Sequence, residues 1–132
     1  MTKHRRFTDS EKWSNKWFRN LSSEQKLFWI YVHDKCDQSG VWKEDFEEVK
    51  FYTGIDFEPE VLVKTFKDEV IYFPEKKIWW IKNYCTLQYN TFLTEEEVSP
   101  PRKYTVKLLK ERGLYKNYVE HYKSSLSGIE SR

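Results

Sequence analysis

The chain has 132 residues, of which 18% are aromatic and 33% charged, and a formal net charge of +2. That length suits one domain with short tails and a single real core, and so aromatic a composition excludes a disordered chain. The charge is too small to mark a nucleic-acid binder by itself, and the two cysteines, Cys36 and Cys85, lie far apart and do not read as a disulfide scaffold.

Residues 1–20 read as a basic aromatic arm. Lys3, Arg5, Arg6, Lys12, Lys16 and Arg19 face only Asp9 and Glu11, a local net of +4. Trp13, Trp17 and Phe18 fall at i, i+4 and i+5, close to helical spacing. Two readings stand: a short arm that packs these rings on the body, or a basic arm that lies on a phosphate backbone with its rings near bases.

Residues 21–90 carry the pattern of a folded domain. Ser22 opens the first main helix, because its side chain can accept from an unpaired backbone N–H, and Gln25 completes a capping-box pattern. Six consecutive apolar residues, 27–32, leave no polar face, so this helix is expected to be buried on several sides. It ends near Cys36, where Asp37, Gln38, Ser39 and Gly40 supply turn chemistry. Val41 and Trp42 make a short strand. Residues 43–52 read as a helix with Phe46, Val49 and Phe51 inward and Glu44, Asp45, Glu47 and Glu48 outward, stopped by Gly54. A third helix is expected over 58–69, with Pro59 in its first turn, where a missing N–H costs nothing. Val61, Leu62, Thr65 and Phe66 form its apolar stripe.

A hairpin follows: Val70–Phe73, then Pro74, Glu75, Lys76 and Lys77, then Ile78–Ile81, each strand rich in β-branched and aromatic residues. Trp79 and Trp80 alternate sides, so one ring is expected in the core and the other partly exposed. Residues 83–89 read as irregular or extended, Thr94 to Glu97 as a polar loop, and Pro100 with Pro101 as a break. The last helix covers 102–112 with Tyr104, Leu108 and Leu109 inward and is ended by Gly113. Its Lys103, Lys107 and Lys110 make one basic stripe. Residues 91–122 are thus read as a loop and C-terminal helix packing on the domain, and 123–132 as a disordered tail.

Helix, strand, helix, helix, strand, turn, strand is the order of a winged helix-turn-helix. The expected fold class is therefore α+β, a winged helix flanked by an N-terminal arm and a C-terminal helix. The third helix of such folds normally enters the major groove. Here, however, residues 43–69 hold four basic residues against nine acidic ones, a net of −5 that would meet phosphates badly. The basic charge lies elsewhere. The candidate DNA-binding residues are Arg5 and Arg6 in the arm, Lys76, Lys77 and Lys82 at the wing, and Arg102, Lys103, Lys107 and Lys110 on the last helix. Lys64 and Lys67 are secondary.

Three runs carry a resemblance: Trp17-Phe18-Arg19-Asn20-Leu21-Ser22, Lys26-Leu27-Phe28-Trp29-Ile30-Tyr31, and Asp34-Lys35-Cys36-Asp37-Gln38-Ser39-Gly40-Val41-Trp42. Together they resemble the start of phage replication-initiation proteins of the replisome-organiser type, whose winged-helix domain is related to that of DnaD-type primosome proteins. Trp80-Ile81-Lys82-Asn83-Tyr84, with Gln88-Tyr89, is similar to the segment closing the wing in those proteins. Leu108-Leu109-Lys110-Glu111-Arg112-Gly113-Leu114 fits their short helix ending in a Lys-x-Arg-Gly-Leu-like stretch. The resemblance covers residues 13–115. It implies duplex DNA binding in phage or mobile-element replication initiation, a replication protein as partner, and self-association as a homo-oligomer. Such proteins usually carry a further C-terminal region that contacts a helicase or its loader, so it implies a DNA-binding winged helix more than a complete initiator.

Other constellations are weak. His33, Cys36 and Asp37 have a spacing that metal ligands use, but without a second Cys/His pair they read as a helix end with a buried thiol. Cys85 reads as a small apolar filler. The acidic runs at Glu47-Glu48 and Glu95-Glu96-Glu97 lack an apolar pocket that would raise an acid, and no glycine-rich phosphate loop occurs. No enzyme, metal or cofactor is expected. No apolar run approaches the roughly 20 residues of a membrane span and no signal-peptide core opens the chain, so no membrane partner and a cytoplasmic location are expected. Two functional classes remain. One is a DNA-binding module of replication initiation. The other is a winged helix used for protein contact, oligomerisation or inhibition of a host protein, through the acidic face of its second and third helices or an exposed aromatic patch. Loss of Lys76, Lys77, Lys103 and Lys107 would abolish the first function, and reversal of Glu44, Glu47, Glu58 and Glu60 the second.

Overall fold

Ser22 behaves as its position dictates. Its hydroxyl accepts from Gln25 N–H at 3.1 Å while the Gln25 side chain accepts from Ser22 N–H at 3.1 Å, so the capping box is complete. It opens one helix of a mixed α+β chain with a small three-stranded antiparallel sheet. The computed structural model describes residues 5–130, with side chains through 126. Lys3 of the expected arm, and residues 131 and 132 of the expected tail, lie outside the described residues. The chain divides into two units, Met1–Gln88 and Tyr89–Arg132. Among the described residues, no helix is long and apolar enough to cross a membrane.

In the first unit a 3-10 turn (Ser10–Ser14) leads to α1 (Lys16–Arg19), α2 (Ser23–Lys35), β1 (Val41–Lys43), α3 (Phe46–Thr53) and α4 (Pro59–Thr65). Then come β2 (Val70–Phe73), β3 (Ile78–Ile81) and α5 (Tyr84–Tyr89), whose last residue falls in the second unit. β3 lies between β1 and β2, with Trp42 opposite Trp79 and Phe73 opposite Ile78. The apolar run of α2 explains the core. Phe28 is fully buried, its ring 5.4 to 6.0 Å from those of Trp42, Phe46, Phe57, Phe66 and Trp79. Each such pair contributes about 0.5–1.5 kcal/mol beyond its buried area. The arm's rings join this core. Phe18 is fully buried, Trp17 meets Trp29 edge-on at 5.4 Å, and Trp13 meets Phe18 edge-on at 5.0 Å.

Several expectations are corrected. Trp79 and Trp80 are both 1% exposed, because β3 is the central strand and is buried along its whole length. Trp80 is not left partly exposed: its indole N–H donates to Ser39 O at 3.0 Å. Phe51 is not inward but 81% exposed, since α3 turns only Val49 fully into the core. α4 stops at Thr65, four residues short of the expected end, and its buried face is Leu62 with partly buried Val63, while Val61 lies outside. Residues 84–89 are helical rather than extended. Tyr84 and Cys85 are buried there, and Asn83 O accepts from Leu87 N–H at 3.0 Å, so tertiary burial overrides weak local propensity.

The second unit holds α6 (Pro100–Glu111) and α7 (Tyr115–Glu130). Pro100 and Pro101 do not break the chain; they occupy the first turn of α6, where proline is pre-organised for a helix. Leu108 and Leu109 are buried as expected, but Tyr104 is exposed, and Thr105 and Val106 are buried in its place. The expected tail from 123 is corrected too, because α7 continues to Glu130. Tyr115, Tyr118 and Tyr122 lie along one helical stripe, and Phe92 stacks on Tyr118 at 5.2 Å. The Tyr118 hydroxyl accepts from buried Leu93 N–H and the Tyr115 hydroxyl donates to Leu93 O, both at 2.8 Å.

Candidate nucleic-acid interface

The turn between β2 and β3 is tightly built. Phe73 O accepts from Lys76 N–H at 3.2 Å, and Pro74 O accepts from Lys77 N–H at 3.3 Å. Pro74 pre-sets φ for such a turn. Lys77 adopts φ 52°, a left-handed conformation more usual for glycine or asparagine. Its carbonyl accepts from Glu44 N–H at 2.9 Å, which ties the turn to the segment after β1. The result is two exposed ammonium groups on a short rigid hairpin, Lys76 and Lys77, neither in an ion pair among the described residues.

The other first-unit candidates differ. Lys64 and Lys67 are exposed on and just beyond α4, but Glu58 and Glu60 stand exposed at its start. Those carboxylates suit the positive end of the helix dipole and oppose an approaching phosphate. Lys82 is half-buried, and its N–H donates to Glu69 O at 3.2 Å. Arg5 is exposed. Arg6 is turned inward: Nη1 donates to His33 O at 2.9 Å, Tyr84 Oη at 3.1 Å and Cys36 Sγ at 3.4 Å. It fastens the arm to the domain rather than facing outward.

In the second unit, most of the expected basic stripe is paired. Lys110 lies 2.9 Å from Glu95 and over the Tyr115 ring, Arg102 lies 3.7 Å from Glu97, and Lys107 lies 3.9 Å from Glu111. Hydrogen bonds from Thr94, together with Arg102, hold the Glu97 carboxyl below the usual carboxylate range. Exposed pairs of this kind contribute little to stability, so Lys107 can exchange its partner for a phosphate. Lys103 is exposed and in no ion pair among the described residues.

The acidic face is partly structural. Glu44, read as outward, accepts from Trp79 Nε1 at 3.2 Å and Tyr72 Oη at 3.4 Å. Glu48 accepts from Tyr31 Oη at 3.1 Å and pairs with Lys35 at 3.3 Å. Burial, reinforced by Glu48, pushes the Tyr31 hydroxyl well up. Both carboxylates satisfy the polar groups of buried or partly buried aromatic side chains, a duty that no local pattern announces. Glu47, Glu58 and Glu60 keep exposed side chains.

The His33, Cys36 and Asp37 group has similar internal duties. His33 Nδ1 meets Trp29 O at 2.8 Å, and Asp37 Oδ1 accepts from Ser39 and Val41 N–H at 2.9 and 3.1 Å. Burial pushes the thiols of Cys36 and Cys85 up to about 12, which leaves them without nucleophilic thiolate at neutral pH. Among the described residues, no group of three or more His, Cys, Asp or Glu side chains is placed to hold a metal. The chain matches no family model, no curated protein and no solved structure.

Proposed function

We propose that the chain is a winged-helix DNA-binding module of phage or mobile-element replication initiation. The order α2, β1, α3, α4, β2, turn, β3, with β3 central in the sheet, supports the winged-helix reading. The observation that carries DNA binding is the rigid β2–β3 turn with Lys76 and Lys77 exposed and in no ion pair among the described residues. In this mode the turn lies along a phosphate backbone at the edge of the minor groove, and Lys64, Lys67, Lys82 and Arg5 add long-range attraction. The acidic start of α4 keeps that helix from deep entry into the major groove. Lys103 and Lys107 of the second unit supply further phosphate contacts.

Fluorescence anisotropy with labelled duplex and single-stranded DNA, from low to physiological salt, tests this. Each phosphate contact adds about 0.9 to the slope of log affinity against log salt. Lys76→Glu/Lys77→Glu is therefore expected to flatten the slope by about 2 and remove duplex binding at physiological salt. Lys103→Glu/Lys107→Glu is expected to weaken binding less. Absence of duplex binding by the unmodified chain at low salt would rule the reading out.

A second reading has its own support. Phe51 and Tyr52 stand 81% and 61% exposed at the end of α3 with their rings 5.1 Å apart, and Val61 of α4 is also exposed. Aromatic surface of this kind serves protein contact. In this reading the chain is an interaction, oligomerisation or host-inhibitor module, and Phe51→Ser/Tyr52→Ser abolishes partner binding or self-association while duplex affinity is unchanged.

A further inference from the structure

The first unit contains a cavity of about 280 Å³ between the arm, α2 and the β3–α5 junction. Trp17, Trp29, Ile30, Ile81 and Leu87 supply its apolar wall, and six ionisable residues face it: Arg6, Asp9, Lys12, His33, Asp34 and Glu69. The two cations are each engaged by the protein. Arg6 Nη1 serves three acceptors, while Lys12 Nζ donates to Asp9 O at 3.1 Å and lies 5.8 Å over the Trp13 ring. Two of the carboxylates are not. Asp34 and Glu69 carboxylates take no hydrogen bond and no ion pair among the described residues. Asp9 uses Oδ1 for Glu11 N–H. At His33, a carbonyl can only accept, so the nitrogen 2.8 Å from Trp29 O carries the proton and Nε2 keeps its lone pair.

We propose that this cavity is a binding site for an organic cation, the guanidinium or alkylammonium group of a basic side chain or of a free polyamine. Such groups donate and do not accept, which matches two carboxylates that take no hydrogen bond among the described residues. Their charge answers three carboxylates set against two engaged cations, and a guanidinium can lie flat on an indole ring. An anion would meet the same three carboxylates, which outnumber Arg6 and Lys12. Burial raises the Glu69 carboxyl, with Lys82 opposing, so a cation at this wall would also relieve a poorly solvated carboxylate.

Two-dimensional ¹⁵N–¹H spectra of the full chain test the site at constant ionic strength. The probes are agmatine, spermidine and acetyl-arginine amide, each up to about 10 mM, enough to reveal dissociation constants near 1 mM; urea is the neutral planar control. The cations, and not urea, are expected to give saturable shifts of the Trp17 and Trp29 indole N–H signals. Asp34→Asn/Glu69→Gln is expected to weaken binding about tenfold or more, as loss of two charge-assisted contacts requires. Tighter binding of spermidine or agmatine than of capped arginine identifies a free amine as the source; the reverse order identifies a side chain. The site is refuted by no saturable shift with any cation, by equal shifts with urea, or by unchanged affinity in a double variant whose spectrum keeps native dispersion. If the double variant unfolds, Asp34→Asn alone, at an exposed position, decides between the same outcomes.

Discussion

Gly40 and Gly54 both hold left-handed backbone, with φ of 86° and 75°. Alanine at either position therefore meets the same conformational strain, about 1–2 kcal/mol, and the same small gain from a stiffer unfolded chain. They differ in what the added methyl would touch. At Gly54 nothing lies within 4 Å, whereas at Gly40 the new carbon falls 2.8 Å from Tyr84 Cβ and 3.0 Å from Ile81 O. Neither neighbour can step aside cheaply. Ile81 belongs to the central strand, and its N–H donates to Gly40 O at 2.9 Å; Tyr84 is buried and bonded to Arg6. Forced overpacking adds about 1–3 kcal/mol. Gly54→Ala is thus expected to cost about 1–2 kcal/mol and Gly40→Ala about 2–5 kcal/mol. Urea unfolding followed by tryptophan fluorescence, with equal slopes, gives the difference directly. Equal losses in the two variants would refute the claim that close approach, and not φ alone, requires glycine at position 40.

His33 titrates below its usual 6.5 because burial disfavours the charged ring, an effect its bond to Trp29 O only partly offsets. The unfolded chain binds the proton more tightly, so stability is full above 6.5 and falls as pH drops from there through the folded value; His33→Gln should flatten the urea midpoint across that window, and an unchanged profile would refute the assignment. Tyr118→Phe leaves the buried Leu93 N–H without its 2.8 Å acceptor and is expected to cost about 1–3 kcal/mol in urea unfolding; no loss would refute the bond. Lys77→Gly relieves left-handed strain at φ 52°, so it should raise stability by up to about 1 kcal/mol and lower the salt slope of duplex binding by about 1. Changes of the opposite sign would contradict the role assigned to the turn.

The legible parts of the sequence were those governed by local rules. The Ser22 and Gln25 cap, the Gly54 stop and both hairpin strands follow from capping, left-handed backbone and β-branched content, and the structure has them at those residues. Features set by distant neighbours were not legible. α5 is helical although Tyr84, Cys85 and Thr86 favour helix weakly, because burial decides there. A polar, serine-rich end masks α7 in the sequence, although Tyr115, Tyr118 and Tyr122 carry a helical stripe. Among candidate site residues, the exposure of Lys76 and Lys77 follows from their place in a turn. The inward course of Arg6 does not, since its acceptors come from α2, the end of that helix and α5. Glu44 and Glu48 looked like solvated charges because sequence spacing cannot show that Trp79, Tyr72 and Tyr31 need acceptors.

One side chain takes the place of a missing strand. The Gln88 amide accepts from Phe7 N–H at 2.9 Å and donates to Phe7 O at 2.8 Å, the pair of bonds that an antiparallel neighbour would make. A peptide group in a ladder is backed by its whole strand, but this one hangs on a flexible tether whose rotamer freedom opposes it. These two bonds can therefore open without disturbing the sheet, while Arg6 still fastens the arm. The Phe7 amide hydrogen should exchange with solvent through a local opening, far sooner than the amides of β3, which wait for the whole unit to unfold.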